Sequence, residues 1–192
     1  MNARDALRAA GLVGAALAVG TWASGDRGHD LDVEAFRALN RERGPELDAL
    51  FRGVTELGSI WASVGAATTL AVAGRRRAAA RGLAAAGVAW LAGQGLKKVF
   101  LRPRPYDADR EGTRLLIGPP NATSWPSSHP AVLLAFTTVA GRALDLGPIG
   151  RASLDALGLL VGVSRTHVGV HYPADVVGGV LVGKAVAAAM GD

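Results

Sequence analysis

The sequence predicts an all-α fold, a bundle of six transmembrane helices that forms one domain over residues 1–192. Hydrophobic residues make up 49% of the chain and charged residues only 19%, a balance too apolar for an ordinary soluble domain of this size. The charges are clustered and leave long uncharged stretches between them, which is typical of chains that cross a bilayer. Arginine and lysine fall into short groups between the apolar stretches, where positive charge more often reports topology than nucleic-acid binding.

The first predicted span runs from Ala9 to Ser24 and follows Arg4 and Arg8. A signal peptide is the rival interpretation, because the run is short and small residues follow it. No good Ala-x-Ala cleavage site is present and later segments are just as apolar, so a retained span is favoured. Residues 25–56 are polar and mixed in charge, and the spacing of their apolar side chains predicts short amphipathic helices on the surface, in the first extracytoplasmic loop.

Five further apolar runs predict the other spans. They cover residues 57–74, 82–96, 129–141, 152–164 and 174–190. Asp155 and Lys184 interrupt the last two runs, and both charges are expected towards the same end of the bundle, where a long lysine can reach the interface. Small residues should let the helices pack closely. They include Gly87, Gly93, Gly178, Gly179 and Gly183.

The positive-inside bias orients this bundle in the membrane. It places the basic groups in the cytoplasm, at Arg4, Arg8, Arg75, Arg76, Arg77, Arg81, Arg142, Arg151 and Lys184. The loops that carry the polar motifs then lie together on the opposite face. Because the Ala, Gly and Arg bias is typical of a GC-rich bacterium, we expect a multi-pass protein of the bacterial inner membrane with its site on the extracytoplasmic face.

Composition also narrows the functional classes. The net charge of +5 could suggest nucleic acid, but no basic helix with interleaved aromatic residues is present, so no nucleic-acid partner is expected. The chain has no cysteine, which excludes disulfides and thiolate metal sites.

The most informative polar cluster lies at residues 164–175. Arg165 is a planar, bidentate donor suited to phosphate. His171 is a plausible nucleophile if Asp175, four residues later, accepts its other ring proton and stabilises the developing imidazolium. Pro173 predicts a helix start, so Asp175 would fall in a first turn. The alternative is that Asp175 is only a first-turn carboxylate favoured by the helix dipole and that His171 is an interfacial side chain.

A metal site is a competing interpretation of the same cluster. His167, His171 and Asp175 recur every four residues and on one continuous helix could bind zinc or iron. Gly169 and Pro173 argue against such a helix, and no further ligand set is evident. No metal is therefore predicted, and His167 is expected to be structural or solvent-facing.

A second cluster opens the fourth span. Ser127 or Ser128 can cap the helix that Pro130 opens, and free backbone N–H groups at such a terminus form an anion site. His129 would then sit at the mouth of the site, where it could protonate a departing alkoxide. The alternative is an ordinary capped helix with an incidental histidine.

The remaining cluster comprises Lys97, at the end of the third span, and Arg104, in the loop that follows. They would add two cations to the site. Taken alone, they are better explained as interface charges beside lipid headgroups.

Together the three clusters resemble the signature of the type 2 phosphatidic acid phosphatase and vanadium haloperoxidase superfamily, K-x6-R-P, P-S-G-H and S-R-x5-H-x3-D. The resemblance covers residues 97–175, and one departure is Ser128, where the pattern has glycine. Serine can still donate the backbone N–H there, unless a positive φ is required. The matching residues are Lys97, Arg104, Pro105, Pro126, Ser127, His129, Ser164, Arg165, His171 and Asp175.

The resemblance implies a metal-independent phosphomonoesterase or diphosphate hydrolase that uses no cofactor. His171 would attack phosphorus to give a phosphohistidine, oriented by Asp175, and His129 would protonate the leaving oxygen and then activate water. The remaining residues would hold the phosphate oxygens. They are Lys97, Arg104, Ser127, Ser128 and Arg165.

The leading hypothesis is an integral membrane phosphatase acting on a lipid phosphate or diphosphate, polyprenyl or glycerophospholipid. Because the same residues would bind vanadate, a vanadate-dependent haloperoxidase is an alternative, although those family members are larger and soluble. A non-catalytic membrane protein that binds or transports lipid is a further alternative. The oligomeric state is not predicted.

Overall fold

The computed structural model describes residues 2–191, which form helices joined by loops and turns, with no strand among them. The all-α prediction is therefore confirmed for this part of the chain. The helices are α1 (Ala3–Ser24), α2 (Asp26–Leu39), α3 (Pro45–Glu56), α4 (Ile60–Val72), α5 (Arg76–Phe100), α6 (Pro105–Ala108), α7 (Ser128–Ala143), α8 (Pro148–His167) and α9 (Pro173–Ala189).

Each of the six predicted spans coincides with one helix, namely α1, α4, α5, α7, α8 and α9. Among the described residues, only α1 has both the length and the apolar composition needed to cross a membrane, and α4 is a shorter apolar helix. The count of six spans therefore stays a prediction. The short helices expected in residues 25–56 are present as α2 and α3.

Helix α7 lies at the centre of the bundle and packs against α4, α5, α8 and α9. Most of its side chains are buried, and Val132, Phe136 and Ala140 pack against alanines of α4 and α5. Helix α1 packs on α9, and α3 packs on α8. Because α7 touches four neighbours, the residues at its first turn can be surrounded by side chains from several elements.

Small residues on α9 bring it close to α7, as predicted. A Cβ added to Gly179 would lie 2.2 Å from the Ser127 carbonyl oxygen, and one added to Gly183 would lie 2.5 Å from that of Ala131. The expectation was wrong for Gly87, which has open space where a Cβ would project. Close packing at Gly179 fixes α9 against the residues that precede α7.

The two charges that interrupt the last predicted spans form an ion pair between α8 and α9. Lys184 Nζ donates to Asp155 Oδ1 and also to Thr138 Oγ1, the latter at 3.1 Å. They therefore lie at the same end of the bundle, as the sequence predicted.

Candidate active site

A cavity of about 230 Å³ opens where α5 and α8 end and where α4 and α7 begin. Two larger cavities, of about 430 and 480 Å³, carry no charged side chain in their walls. The smaller cavity contains most of the predicted site. Its walls include Lys97, Arg104, Ser128, His129, Arg165 and His171.

The two predicted residues outside this wall are buried and contact the residues beside it. Asp175 approaches His171, with 3.5 Å between its Oδ2 and the ring Nδ1. Ser127 donates its backbone N–H to the carbonyl oxygen of Asp175 at 2.9 Å. The fold thus brings all eight residues together, including His129 from the first turn of α7 and His171 from the segment between α8 and α9.

The surroundings of His171 determine which ring nitrogen carries its proton. Nε2 lies 3.2 Å from Nη1 of Arg104, and a guanidinium can only donate hydrogen bonds, so Nε2 must accept. Nδ1 therefore carries the proton and faces Asp175 and the Ser124 hydroxyl, which is 3.3 Å away. Burial, partly opposed by the hydrogen bond with Asp175, and then the charges of Arg104 and Lys97 hold the pKa of His171 well below 6.5. The ring is neutral at pH 7, and its Nε2 lone pair accepts the hydrogen bond from Arg104.

Asp175 is held by several donors in the first turn of α9. Its Oδ2 accepts the Ser124 hydroxyl and the backbone N–H of Tyr172, the latter at 2.9 Å. Its Oδ1 accepts Nη1 of Arg102 at 2.7 Å. The first-turn position predicted from Pro173 is confirmed, because α9 begins at that proline. The carboxylate of Asp175 both accepts a backbone N–H at the start of α9 and contacts His171, so the two interpretations of Asp175 are compatible.

Arg102 is a site residue that sequence reasoning missed. Its Nη2 donates to Oδ2 of Asp32 at 2.7 Å, so the guanidinium bridges two carboxylates that are each almost fully buried. Burial lowers the pKa of Arg102, but the charges of Asp175 and Asp32 outweigh this effect and raise the pKa overall. The other oxygen of Asp32 accepts the backbone N–H of Ala174 at 2.9 Å. Asp32 thereby ties α2 to the start of α9, which corrects the expectation that its polar segment lies wholly on the surface.

Arg104 and Arg165 direct two guanidinium groups to the cavity. Arg104 is fixed in an extended conformation before α6, and its Nη1 donates to the Val170 carbonyl oxygen at 2.8 Å. Arg165, near the end of α8, donates from Nη1 to Thr55 Oγ1 at 2.8 Å. Within residues 2–191, Nε of Arg165 is buried without a hydrogen-bond partner. A buried donor without a partner is costly, so this nitrogen favours an anionic ligand in the cavity.

Lys97 is nearly buried and its ammonium binds the main chain of the loop before α7. Nζ donates to the carbonyl oxygens of Thr123, Ser124 and Pro126 at 2.9, 3.1 and 2.8 Å. These three bonds match the three protons of the ammonium group. Lys97 therefore fixes the loop against α5, and its predicted contact with phosphate remains a prediction.

The first turn of α7 differs from the expected capped helix. The helix begins at Ser128, two residues before Pro130, and Ser127 occupies the N-cap position without a side-chain capping bond. Among the described residues, neither serine hydroxyl has a hydrogen-bond partner. Neither hydroxyl caps the helix, and that of Ser128, which lies in the cavity wall, is available to a ligand. His129 lies in this first turn and lines the cavity.

The structure also shows why His167 does not join a metal site with His171. Helix α8 ends at His167 and α9 begins at Pro173, so the continuous helix that this interpretation required is absent. Nε2 of His167 instead lies 2.8 Å from Oδ1 of Asp48 in α3. His167 is structural, one of the two roles expected for it.

Comparison with known sequences finds a family match over most of the helices that build the cavity. The family model of the PAP2 superfamily matches residues 77–190. A decaprenylphosphoryl-5-phosphoribose phosphatase of Mycobacterium tuberculosis H37Rv is 31% identical over 147 residues, which are 75% of this chain and 78% of the relative. The protein of the same name from Mycolicibacterium smegmatis is 37% identical over 126 residues, and this match spans only 62% of each chain.

Two solved structures share the architecture. The transmembrane PAP2 type phosphatidylglycerolphosphate phosphatase of Bacillus subtilis superposes with a TM-score of 0.84 and 21% identity, over 95% of this chain and 94% of the other. Aquifex aeolicus LpxE superposes with a TM-score of 0.68 and 27% identity, over 83% of this chain and 94% of the other. At 21% identity, the first likeness establishes a common fold.

Proposed function

Because the chain belongs to the PAP2 superfamily, we propose that it is an integral membrane phosphatase that releases phosphate from a lipid phosphate or diphosphate. The main support for this proposal is the shared cavity, whose wall holds both His129 and a neutral His171 that carries its lone pair on Nε2, beside Arg104. Nucleophile, proton donor and phosphate ligands are the groups that phosphoryl transfer requires.

In the first step, Nε2 of His171 attacks phosphorus, and the bond from phosphorus to the lipid oxygen breaks. The ring then becomes a positively charged phosphohistidine, whose Nδ1 proton lies against the carboxylate of Asp175. Arg104, Arg165 and the Ser128 hydroxyl supply donors for the phosphate oxygens, whose charge is spread in the transition state.

His129, in the protonated form that the negative charge of a bound phosphate favours, supplies the proton that the departing lipid oxygen needs. Once it has lost that proton, the neutral imidazole can accept one from water, which attacks the phosphohistidine and restores His171. Inorganic phosphate then leaves the cavity. One residue thus acts as acid in the first step and as base in the second.

A polyprenyl-linked phosphate is the substrate class that we propose. Both mycobacterial relatives are phosphatases of a decaprenyl-linked phosphoribose. Trp61 and Trp90 lie in the cavity wall and are 78% and 41% exposed. Indole rings favour the boundary between lipid and water, so the cavity mouth would lie at a membrane surface. The positive-inside bias assigns that surface to the extracytoplasmic face of the bacterial inner membrane.

We also propose that hydrolysis needs no metal ion, because the guanidinium groups of Arg104 and Arg165 in the cavity wall supply positive charge for the phosphate. The test is phosphate release in detergent, with EDTA present, from a panel of lipid phosphates that includes polyprenyl substrates. We expect activity in the unmodified chain and a loss of at least ~10³-fold in His171→Ala, as when a covalent nucleophile is removed. His29→Ala, which removes a histidine outside the cavity wall, is the matched control. Equal turnover by His171→Ala would contradict the proposal.

A further inference from the structure

The guanidinium group of Arg165 makes one hydrogen bond among residues 2–191, and its acceptor lies in α3. Nη1 donates to Oγ1 of Thr55 at 2.8 Å, whereas Nε has no partner within that range. Both side chains are almost completely buried. Helix α3 precedes residues 77–190, which the family model matches. The bond therefore joins a proposed phosphate ligand to an element outside the matched region.

One face of α3 is fixed to the end of α8. Asp48, Phe51 and Thr55 are three and four residues apart, so they lie on the same side of the helix. Oδ1 of Asp48 lies 2.8 Å from Nε2 of His167, and the Phe51 ring packs on the His167 ring with 4.5 Å between the centroids. Thr55 contacts Arg165, two residues earlier in α8. Three side chains of α3 therefore meet the last turn of α8.

Polar contacts from two other segments hold α3 in this position. The second carboxylate oxygen of Asp48 accepts Nη2 of Arg114 at 2.7 Å. Asn40, which follows α2, accepts the backbone N–H of Arg114 at 2.8 Å and donates to the carbonyl oxygen of His167 at 2.7 Å. The end of α8, the start of α3 and the loop around Arg114 are thus joined by hydrogen bonds. Helix α3 is a fixed support for the end of α8.

The bond to Thr55 leaves one edge of the Arg165 guanidinium for a ligand. A guanidinium group is planar and directs its five N–H groups in fixed directions. Nη1 lies on the side away from Nε, so a bond at Nη1 does not occupy the edge that Nε forms with Nη2. Two parallel N–H groups on one edge can bind two oxygens of one phosphate. Arg165 lines the cavity and Thr55 does not, so the hydroxyl can orient the arginine without touching the ligand.

The main chain at Thr55 supports a second part of the cavity wall. Its carbonyl oxygen accepts the backbone N–H of Gly58 at 3.1 Å. Gly58 packs closely on two helices, since an added Cβ would lie 2.6 Å from Cγ1 of Val161 and 2.7 Å from Cβ of His129. Thr55 therefore stands at the junction where α3 meets both α7 and α8.

We infer that Thr55 is a positioning residue, whose hydroxyl holds the Arg165 guanidinium with its Nε edge towards the phosphate; this rests on the proposed function for the identity of the ligand. Without the hydroxyl, Nη1 would be a buried donor that has lost its acceptor. The side chain would turn towards other acceptors, and a ligand would have to order it again on binding. Loss of the hydroxyl should therefore weaken phosphate binding through Arg165.

The test measures binding of inorganic phosphate to the full chain in detergent by isothermal titration calorimetry. Thr55→Val replaces the hydroxyl with a methyl group of similar size, and Thr55→Ser keeps the hydroxyl. The control is Thr68→Val, the same replacement on α4, where the hydroxyl bonds to the Val64 carbonyl oxygen of its own helix at 2.9 Å. Arg165→Gln, alone and combined with Thr55→Val, completes a double-mutant cycle.

We expect Thr55→Val to weaken phosphate binding at least ~10-fold, the loss that corresponds to one hydrogen bond with a charged group. Thr55→Ser and Thr68→Val should bind phosphate as the unmodified chain does. In the Arg165→Gln background, Thr55→Val should cause no further loss. An equal loss in that background would assign Thr55 a structural role alone and overturn the inference. Unchanged binding by Thr55→Val would overturn it as well.

Turnover of a lipid phosphate separates this inference from the proposed function. Thr55→Val should lower kcat/KM by a similar factor, and Thr55→Ser should restore it. Phosphate binding that depends on Thr55, in a chain that hydrolyses no lipid phosphate, would support the inference and contradict the proposed function. Turnover that Thr55→Val leaves unchanged would support the proposed function and overturn the inference.

Discussion

Replacing Arg102 with glutamine should destabilise the protein strongly, although Arg102 does not line the cavity. The side chain is buried and makes two ion pairs of 2.7 Å, with Asp32 and with Asp175. Glutamine would leave both carboxylates buried without a cation. Breaking a buried ion pair from one side costs about 3–5 kcal/mol, because the remaining charge has no partner. We therefore expect the free energy of unfolding to fall by about that amount.

A double-mutant cycle separates this effect from simple loss of packing. Asp32→Asn removes one of the two carboxylates that would be left without a cation, and its amide oxygen can still accept the backbone N–H of Ala174. The double variant Arg102→Gln/Asp32→Asn should therefore be more stable than Arg102→Gln alone. Such non-additivity is expected of residues in direct contact.

The assay is unfolding in mixed detergent micelles, followed by circular dichroism. Arg37→Gln is the control, because Arg37 and Asp109 form the same kind of pair at 3.1 Å with both side chains largely in solvent. That variant should leave unfolding essentially unchanged, since exposed pairs contribute little. Equal stability of Arg102→Gln and the unmodified chain would refute the buried bridge as described.

Two further predictions concern the reacting histidines. Gly58→Ala should reduce kcat by up to ~10²-fold, because the added Cβ would lie 2.7 Å from Cβ of His129 and displace its ring. Gly65→Ala is the control, since its Cβ would meet open space, and it should leave kcat unchanged. Equal kcat values for the two variants would contradict this prediction. Burial, and then the charge of Arg104, lower the pKa of His171, so kcat/KM should hold as pH falls through 6.5 and decline only below it. Arg104→Gln should raise that pKa and move the decline to higher pH. An unchanged pH profile would show that the decline of kcat/KM at low pH does not reflect protonation of His171.

Much of the fold could be predicted, because apolar runs and proline positions are local signals. The helix start at Pro173 and the placement of Asp155 and Lys184 at one end of the bundle followed from such signals. Helix ends were harder, since α7 begins at Ser128 and not at the proline that marks a preferred first position. The number of helices that cross a membrane depends on the lipid environment as well as on the helices, so it stays a prediction.

The residues of the cavity wall could be predicted because each motif is compact and chemically distinctive. Arg102 could not be predicted in the same way. Arg102 and Arg104 are two residues apart in one loop, and only tertiary packing determines that the first contacts Asp32 and the second contacts His171. Asp32 is distant in sequence and lies among exposed charges, so nothing local marks it as buried. Long-range ion pairs of this kind emerge only when the helices are assembled.

The most direct test of the account is to trap the enzyme during turnover of a radiolabelled lipid phosphate. A phosphohistidine is stable to alkali and labile to acid, so an alkaline quench followed by peptide mapping locates the phosphate. We expect label on His171 in the unmodified chain and none in His171→Ala. Label that survives acid, or label on Ser127 or Ser128, would contradict it.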